Sequence, residues 1–258
     1  MVSSVWAPIV SLPSYPCNVT IIPNASLAAL NTFRINVSAR FLVPIQRVDD
    51  IREVLAGSAA AGLPHYVLGG GSNVLFMGDY PGTILQVCIR GIEIIREQGD
   101  TVWVRAGAGE DWDGFVAWCV ERGLGGIENL SLIPGTVGAC PVQNIGAYSM
   151  EVADAIEQVE AVSLNDGSSL LLQGHECRFG YRNSIFKQEL RGKLLITHVV
   201  FRLSRRPMLK LTYADLQHEL AEASEGTLQA VREAVIRIRR RKLPDPSETG
   251  NAGSFFKN

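Results

Sequence analysis

Leu68–Phe76 reads LGGGSNVLF. An apolar segment, Tyr66–Leu68, leads into Gly69, Gly70 and Gly71, and Ser72, Asn73 and an apolar run from Val74 follow. The pattern is a strand that ends in a turn free of side chains. Such a turn aims several backbone N–H groups at one point and admits a bulky anion to the main chain. Ser72 and Asn73 add donors. A phosphate or diphosphate cradle fits, and so does a flexible turn between two strands, because glycine runs are common in loops. Two familiar phosphate motifs are excluded: the glycines do not continue as GxGxxG into a helix, and no Gly-Lys-Ser/Thr is present.

Upstream, Ala39–Ile45 reads as a strand. Asp49 or Asp50 can cap a helix running to about Ala61, with Ile51, Val54 and Leu55 on its apolar face and Gly62 at its end. This strand–helix–strand unit puts the glycine loop at the carboxyl end of a strand, where α/β proteins place ligands. Residues 1–24 are punctuated by proline and read as irregular. Downstream come a strand, Gly82–Ile89, and a hairpin of Ile92–Glu97 with Thr101–Ala106. A helix follows from Asp111 to about Arg122, with Trp112, Phe115, Val116 and Cys119 on one face. Ala155–Leu164 and Ser168–Gln173 form a second hairpin around Asn165-Asp166-Gly167. Leu194–Leu203 reads as a strand, Leu211–Tyr213 as part of a polar connection, and Leu228–Arg241 as a helix.

Between these elements lies Asn129–Met150, NLSLIPGTVGACPVQNIGAYSM, glycine-rich and almost uncharged. A connection of this length is unusual in a compact domain unless it lines something. Its apolar content suits a second ligand-binding loop better than a surface loop.

The chain has 258 residues, 47% apolar and 19% charged, enough for one large or two modest globular domains. A net charge of -2 implies no bulk attraction to nucleic acid or membrane, and no apolar run approaches the ~20 residues of a membrane span. Cys17, Cys88, Cys119, Cys140 and Cys177 are odd in number, scattered and without CxxC, as in a reducing compartment. His65, His175, His198 and His218 have no metal-ligand spacing. Prolines interrupt the N-terminus, which lacks the pattern of a secretory signal.

Three further features leave alternatives open. Arg182, after Phe179-Gly180-Tyr181, is either an electrostatic clamp for a carboxylate or enolate or half of a structural salt bridge. The basic run Arg237, Arg239, Arg240, Arg241 reads as a solvated helix end that complements the dipole, although Lys242 could meet a phosphate. Ser254, after Gly253, is either a proton donor or a turn serine; no GxSxG accompanies it.

Taken together, NTFRI from Asn31, LGGGSNVLF, ENLSLIPGTVGACPVQNIGAYSMEV, ECRFGYRNSIFK and KLPDPSETGNAGSFFKN resemble the UDP-N-acetylenolpyruvoylglucosamine reductases over Asn31–Asn258. The resemblance implies an α+β FAD-binding fold of the vanillyl-alcohol-oxidase type: an irregular arm at 1–30, FAD-binding subdomains at 31–100 and 101–240, and the start of a substrate domain at 241–258. It implies FAD-dependent reduction, by NADPH, of UDP-N-acetylglucosamine enolpyruvate to UDP-N-acetylmuramate in peptidoglycan precursor synthesis. The protein expected is a cytoplasmic monomer acting on a UDP-sugar, with no metal, nucleic acid or membrane partner.

Carried over by motif, Gly69, Gly70, Gly71, Ser72, Asn73, Val74, Gly135, Gly138, Ala139, Val142, Ile145 and Gly146 hold FAD. Arg182 stabilises enolate-like charge and Ser254 donates the proton. Tyr148, Tyr213, Lys242, Gly253 and Asn258 bind the substrate. Ser149 follows Tyr148 where the family pattern has glycine. The family chain continues beyond FFKN into a domain bearing a catalytic glutamate, so a fragment or truncated reductase is expected, one that binds FAD at reduced affinity and turns over poorly or not at all. Another FAD-linked oxidoreductase of the same fold and a non-catalytic flavin-binding fragment are the alternatives.

Overall fold

The computed structural model describes residues 19–57, 62–221, 226–245 and 248–252. Its strands separate into two main sheets. In the first, β1 (Ile22–Ser26), β2 (Ser38–Ile45), β3 (His65–Leu68) and β4 (Tyr80–Val87) lie in the order β1-β2-β4-β3. β1 is antiparallel to β2, whereas β2, β4 and β3 are parallel. α1 (Val48–Ala56) carries the chain from β2 to β3. Asp50 caps this helix from inside: its carboxylate accepts the backbone N–H groups of Gln46 and Arg47 at 2.9 and 2.8 Å. The helix stops at Gly57, short of Ala61, and residues 58–61 lie outside the described set.

Ile22–Ser26 and the short helical turn Ala28–Leu30 correct the expectation of an irregular arm at 1–30. Pro23 hides the strand from a reading by pattern, but β1 is an edge, where a missing N–H costs no ladder bond. Residues 1–18 lie outside the described set.

The second sheet is antiparallel. β5 (Ile92–Gln98) and β6 (Thr101–Gly107) form its first hairpin, and two residues each make the small pair β7 (Gly146–Ala147) and β8 (Met150–Glu151) apart from it. With β9 (Ile156–Ser163), β10 (Ser169–Gln173) and β11 (Leu194–Ser204) the order is β10-β9-β11-β6-β5. Since β5 pairs with β6, the border between the two halves falls between β4 and β5, not at residue 100. A hairpin is one hydrogen-bonded unit and cannot be divided at its turn.

α2 (Trp112–Glu121) is capped by Asp111, whose carboxylate accepts the Gly114 N–H at 2.8 Å. It lays Trp112 and Phe115 against Phe201 of β11, with ring centroids 5.9 and 4.7 Å away. α3 (Ala214–Ala221) and α4 (Leu228–Lys242) pack together through Leu216, Val231, Val235 and Ile238. α3 falls in what reads as polar connection; only Leu216 and Glu219 of its eight residues are buried, too few to show a period.

One buried cluster joins the halves, with Val43, Ile51, Val54 and Leu85 of the first packed among side chains of the second sheet. A polar latch reinforces it. Arg52 of α1 donates from Nε to the Gly167 carbonyl at 3.1 Å and from Nη2 to Ser169 Oγ at 2.9 Å, across the β9–β10 turn.

On the second sheet, Arg105 of β6 donates two bonds of 2.7 Å to the Glu160 carboxylate of β9, and His198 of β11 stands 3.4 Å from it. The Arg105 bonds, then His198, hold the Glu160 carboxyl down at about 2, against an ordinary 4.5. The stabilisation is therefore complete above the unfolded value and is lost as pH falls toward the folded one. In urea unfolding, Glu160→Gln should cost about 1 kcal/mol at neutral pH, discounted for partial exposure. The gap to the wild type should narrow below pH 4.5 and close near 2; a gap that widens on acidification would contradict the assignment.

Candidate functional site

The carboxyl end of β3 opens into Gly69–Val74, and this loop forms one wall of a cleft of about 470 Å³. The opposite wall is Ile133–Gly146, the stretch that reads as an overlong loop. Backbone meets backbone where the walls touch. A Cβ on Gly70 would lie 3.0 Å from Gly135 Cα, and one on Gly71 would lie 2.0 Å from the Leu30 carbonyl oxygen. Gly71 also has φ +65, which a side chain resists. Two side-chain bonds close the seam: Ser72 Oγ donates to the Pro134 carbonyl at 3.0 Å, and Asn73 Nδ2 donates to Gln143 Oε1 at 2.9 Å.

The NTFRI segment supports the loop from below. Asn31 is buried and donates from Nδ2 to the carbonyls of Leu27 and Ile35, while its Oδ1 accepts the Ile35 N–H at 3.0 Å. That knot fixes Thr32, whose N–H donates to the Gly71 carbonyl at 3.2 Å and whose carbonyl accepts the Asn251 N–H at 3.1 Å.

The second wall hangs on α2 and α4. Trp112 donates its backbone N–H to the Gly135 carbonyl and its indole N–H to the Leu130 carbonyl, at 3.1 and 2.8 Å. Asp113 accepts the Leu132 N–H at 2.6 Å and holds Arg232 of α4 through both carboxylate oxygens. Burial works to raise this carboxyl, and the bonds from Arg232 and Leu132 outweigh it, holding it below the usual range. Arg239 Nε donates to the Leu132 carbonyl at 3.1 Å.

The cleft attracts anions. Arg182, Lys187 and Arg239 line it, and among the described residues no carboxylate does. Among those residues, no acceptor takes the amide N–H groups of Gly71, Ser72, Asn73, Gly135 or Thr136. The buried Thr136 hydroxyl, also on the wall, has no hydrogen-bond partner either. Arg182, with φ +52, donates from Nη2 to the Gly146 carbonyl and lies 5.6 Å from the Tyr181 ring centroid. It makes no ion pair among the described residues. Cys140 also lines the cleft, and burial pushes its thiol far up, so it stays neutral.

Of the twelve residues expected to hold a cofactor, eleven line the cleft; Gly138 does not. Its Cβ position is filled by Ala108, 2.5 Å away, so Gly138 seats the loop on the sheet. Tyr148, Tyr213 and Lys242 gather beside the cleft as a separate cluster. The two rings meet edge-on at 5.1 Å, and Lys242 lies 5.8 Å from the Tyr213 centroid and pairs with Asp215. Tyr148 and Ser149 form the β7–β8 turn with φ +48 and +64, the geometry for which glycine is expected at Ser149. Gly253, Ser254 and Asn258 lie outside the described residues.

The basic helix end is not simply solvated, which corrects that reading. Arg237 and Arg241 both pair with Glu219 of α3, and Arg239 turns into the cleft, where burial lowers its guanidinium from the ordinary value. Spacing held the signal: Arg239 falls four residues after buried Val235 and seven after Arg232. Trp112, Thr136, Gln143 and Lys187 also line the cleft without having been singled out for it. Gly71→Ala should lower the unfolding free energy read from urea titration by at least ~2 kcal/mol, from strain and clash together. Gly62→Ala, at φ +77 with open space around its Cβ, should cost only about 1 kcal/mol. Equal losses would contradict the packing described.

Comparison with known proteins bears on this cleft. Residues 39–172 match the family described as FAD binding domain. The chain is 48% identical, over 236 residues, to the UDP-N-acetylenolpyruvoylglucosamine reductase of Paraburkholderia phytofirmans, covering 90% of this chain and 68% of that protein. The crystal structure of UDP-N-acetylenolpyruvylglucosamine reductase from Thermus caldophilus superposes with TM-score 0.65 at 26% identity, over 93% of this chain and 75% of that one. Cholesterol oxidase from B. sterolicum matches at TM-score 0.51 and 14% identity, over 77% of this chain and 40% of that one, a likeness of fold alone.

Proposed function

We propose, from the premise that the chain belongs to the UDP-N-acetylenolpyruvoylglucosamine reductase family of FAD-binding oxidoreductases, that its cleft holds FAD for the reduction of an enolpyruvyl UDP-sugar by NADPH, a step toward peptidoglycan precursors. The observation that carries this reading is the anion-seeking seam between the two glycine loops. Its unpaired amides, the partnerless Thr136 hydroxyl and the absence of carboxylate among the described lining residues fit a diphosphate. The rest of the lining is apolar and polar in turn, and about 470 Å³ lies within the range of cofactor pockets.

In this reading Gly69–Val74 and Gly135 face the diphosphate, while Ala139, Val142, Ile145 and Gly146 form the wall against the ring system. Bound FAD supplies the hydride chemistry, from nicotinamide to the enolpyruvyl double bond, that no side chain can perform. The remaining work falls to protein groups. Arg182 is a fixed cation for the charge that develops on the substrate carboxylate as hydride arrives. The Gly146 carbonyl and the Tyr181 ring pre-set its direction, so little reorganisation accompanies the reaction. Ser254 would deliver the proton to the neighbouring carbon. Tyr148, Tyr213 and Lys242 present one cation and two hydroxyl-bearing rings beside the cleft, a set suited to the UDP diphosphate.

The test separates the two half-reactions. The purified chain should take up FAD, lose its yellow band with NADPH, and regain it when the enolpyruvyl UDP-sugar is added without oxygen. Arg182→Met should slow the regain by about 100-fold and leave bleaching by NADPH within a few-fold of wild type. Failure to bind flavin would overturn the cofactor assignment. Equal regain in the variant would remove Arg182 from the chemistry.

A further inference from the structure

We propose that Asp113 is a positioning residue for the flavin site: from the first turn of α2 it holds Leu132 in a left-handed conformation, and thereby sets the cleft wall from Ile133 to Thr136. Asp113 itself does not line the cleft, and the inference rests on the flavin reading above.

Leu132 has φ +58, a left-handed region that an L-residue with a branched side chain resists. Such strain persists only where surrounding contacts over-determine it. Here both polar groups of the residue are claimed by charged side chains. Its N–H donates to Asp113 Oδ1 at 2.6 Å, and its carbonyl accepts from Arg239 Nε at 3.1 Å. Bonds to charged groups are the strong ones, enough together to exceed the strain.

The two anchors are not independent. Asp113 also grips Arg232 through both oxygens, and Arg232 and Arg239 lie seven residues apart on one face of α4. Asp113 therefore fixes Leu132 directly and fixes the helix that carries the second anchor. On either side of Leu132 the wall is held by Trp112, at Leu130 and at Gly135. Return of Leu132 to negative φ would change the chain's direction between those two fixed points. Ile133, Pro134, Gly135 and Thr136 would move relative to the glycine loop, and the Ser72–Pro134 bond would break.

The experiment compares flavin affinity with stability. FAD dissociation constants, read from flavin fluorescence, and apoprotein melting temperatures are measured for wild type, Asp113→Ala, Asp113→Asn and Arg52→Ala. Arg52→Ala removes the distant α1 latch and serves as a stability control. Asp113→Ala should weaken FAD by about tenfold or more, the loss of one charge-assisted bond. Asp113→Asn keeps an oxygen to accept the Leu132 N–H, so it should melt lower yet bind FAD within about threefold of wild type. Arg52→Ala should melt lower and bind FAD as wild type does.

If Asp113→Ala does not fold, Asp113→Asn decides: affinity near wild type despite a lower melting temperature supports the inference, and a loss merely parallel to stability overturns it. Wild-type affinity in Asp113→Ala, or an equal affinity loss in Arg52→Ala, overturns it while leaving the flavin reading intact. A wild-type chain that takes no flavin overturns both.

Discussion

The cleft depends on the close approach of two main chains, Gly70 against Gly135, with Gly71 pressed on Leu30. No side chain fits between them. Most of the bonds that hold the cleft in shape act on those backbones. Asn31 and Thr32 support the first loop from beneath, and Trp112, Asp113 and Arg239 hang the second from two helices. Because anchors act on backbone groups, the wall can present its own amides and the Thr136 hydroxyl to a ligand rather than spend them on internal bonds.

This division of labour explains the chain's plan. The parallel unit β2–α1–β3 with β4 aims a loop outward at the carboxyl edge of its sheet, as open α/β sheets do. The antiparallel sheet gives a rigid floor on which Gly138 and Ala108 seat the other loop. A shared apolar core and the Arg52 latch keep the halves in register, so a cleft formed by both has a defined width. Its cations arrive from a third direction: Arg239 rides on α4, while Arg182 and Lys187 come from the segment before β11.

Much of the fold was legible because periodicity and punctuation are local. The hairpins around Gly99 and Gly167, the helix after Asp111 and the long strand from Leu194 follow from alternation, capping and turn residues. The misses have local causes too. Pro23 disguised an edge strand, α3 has too few buried positions to show a period, and the end of α1 at Gly57 left no strong signal. At the site, the glycine loops and Arg182 carried their own signatures. Arg239 did not, since a run of arginines at a helix end ordinarily stays in water, and only packing against the Leu130–Thr136 wall turns one of them inward.

The sequence by itself determined the presence of a side-chain-free turn after an apolar strand, a second glycine-rich loop, and, through long motifs in fixed order, the family. Those are properties of neighbouring residues and of patterns that survive without coordinates. Only the tertiary structure decided that the two loops form one seam, that Gly138 packs and does not line, and that Asp113 reaches from one helix to a strained leucine and to an arginine on another. These depend on contacts between residues as far apart as Asp113 and Arg232. No local pattern encodes such a contact, because its energy exists only once the intervening chain has folded.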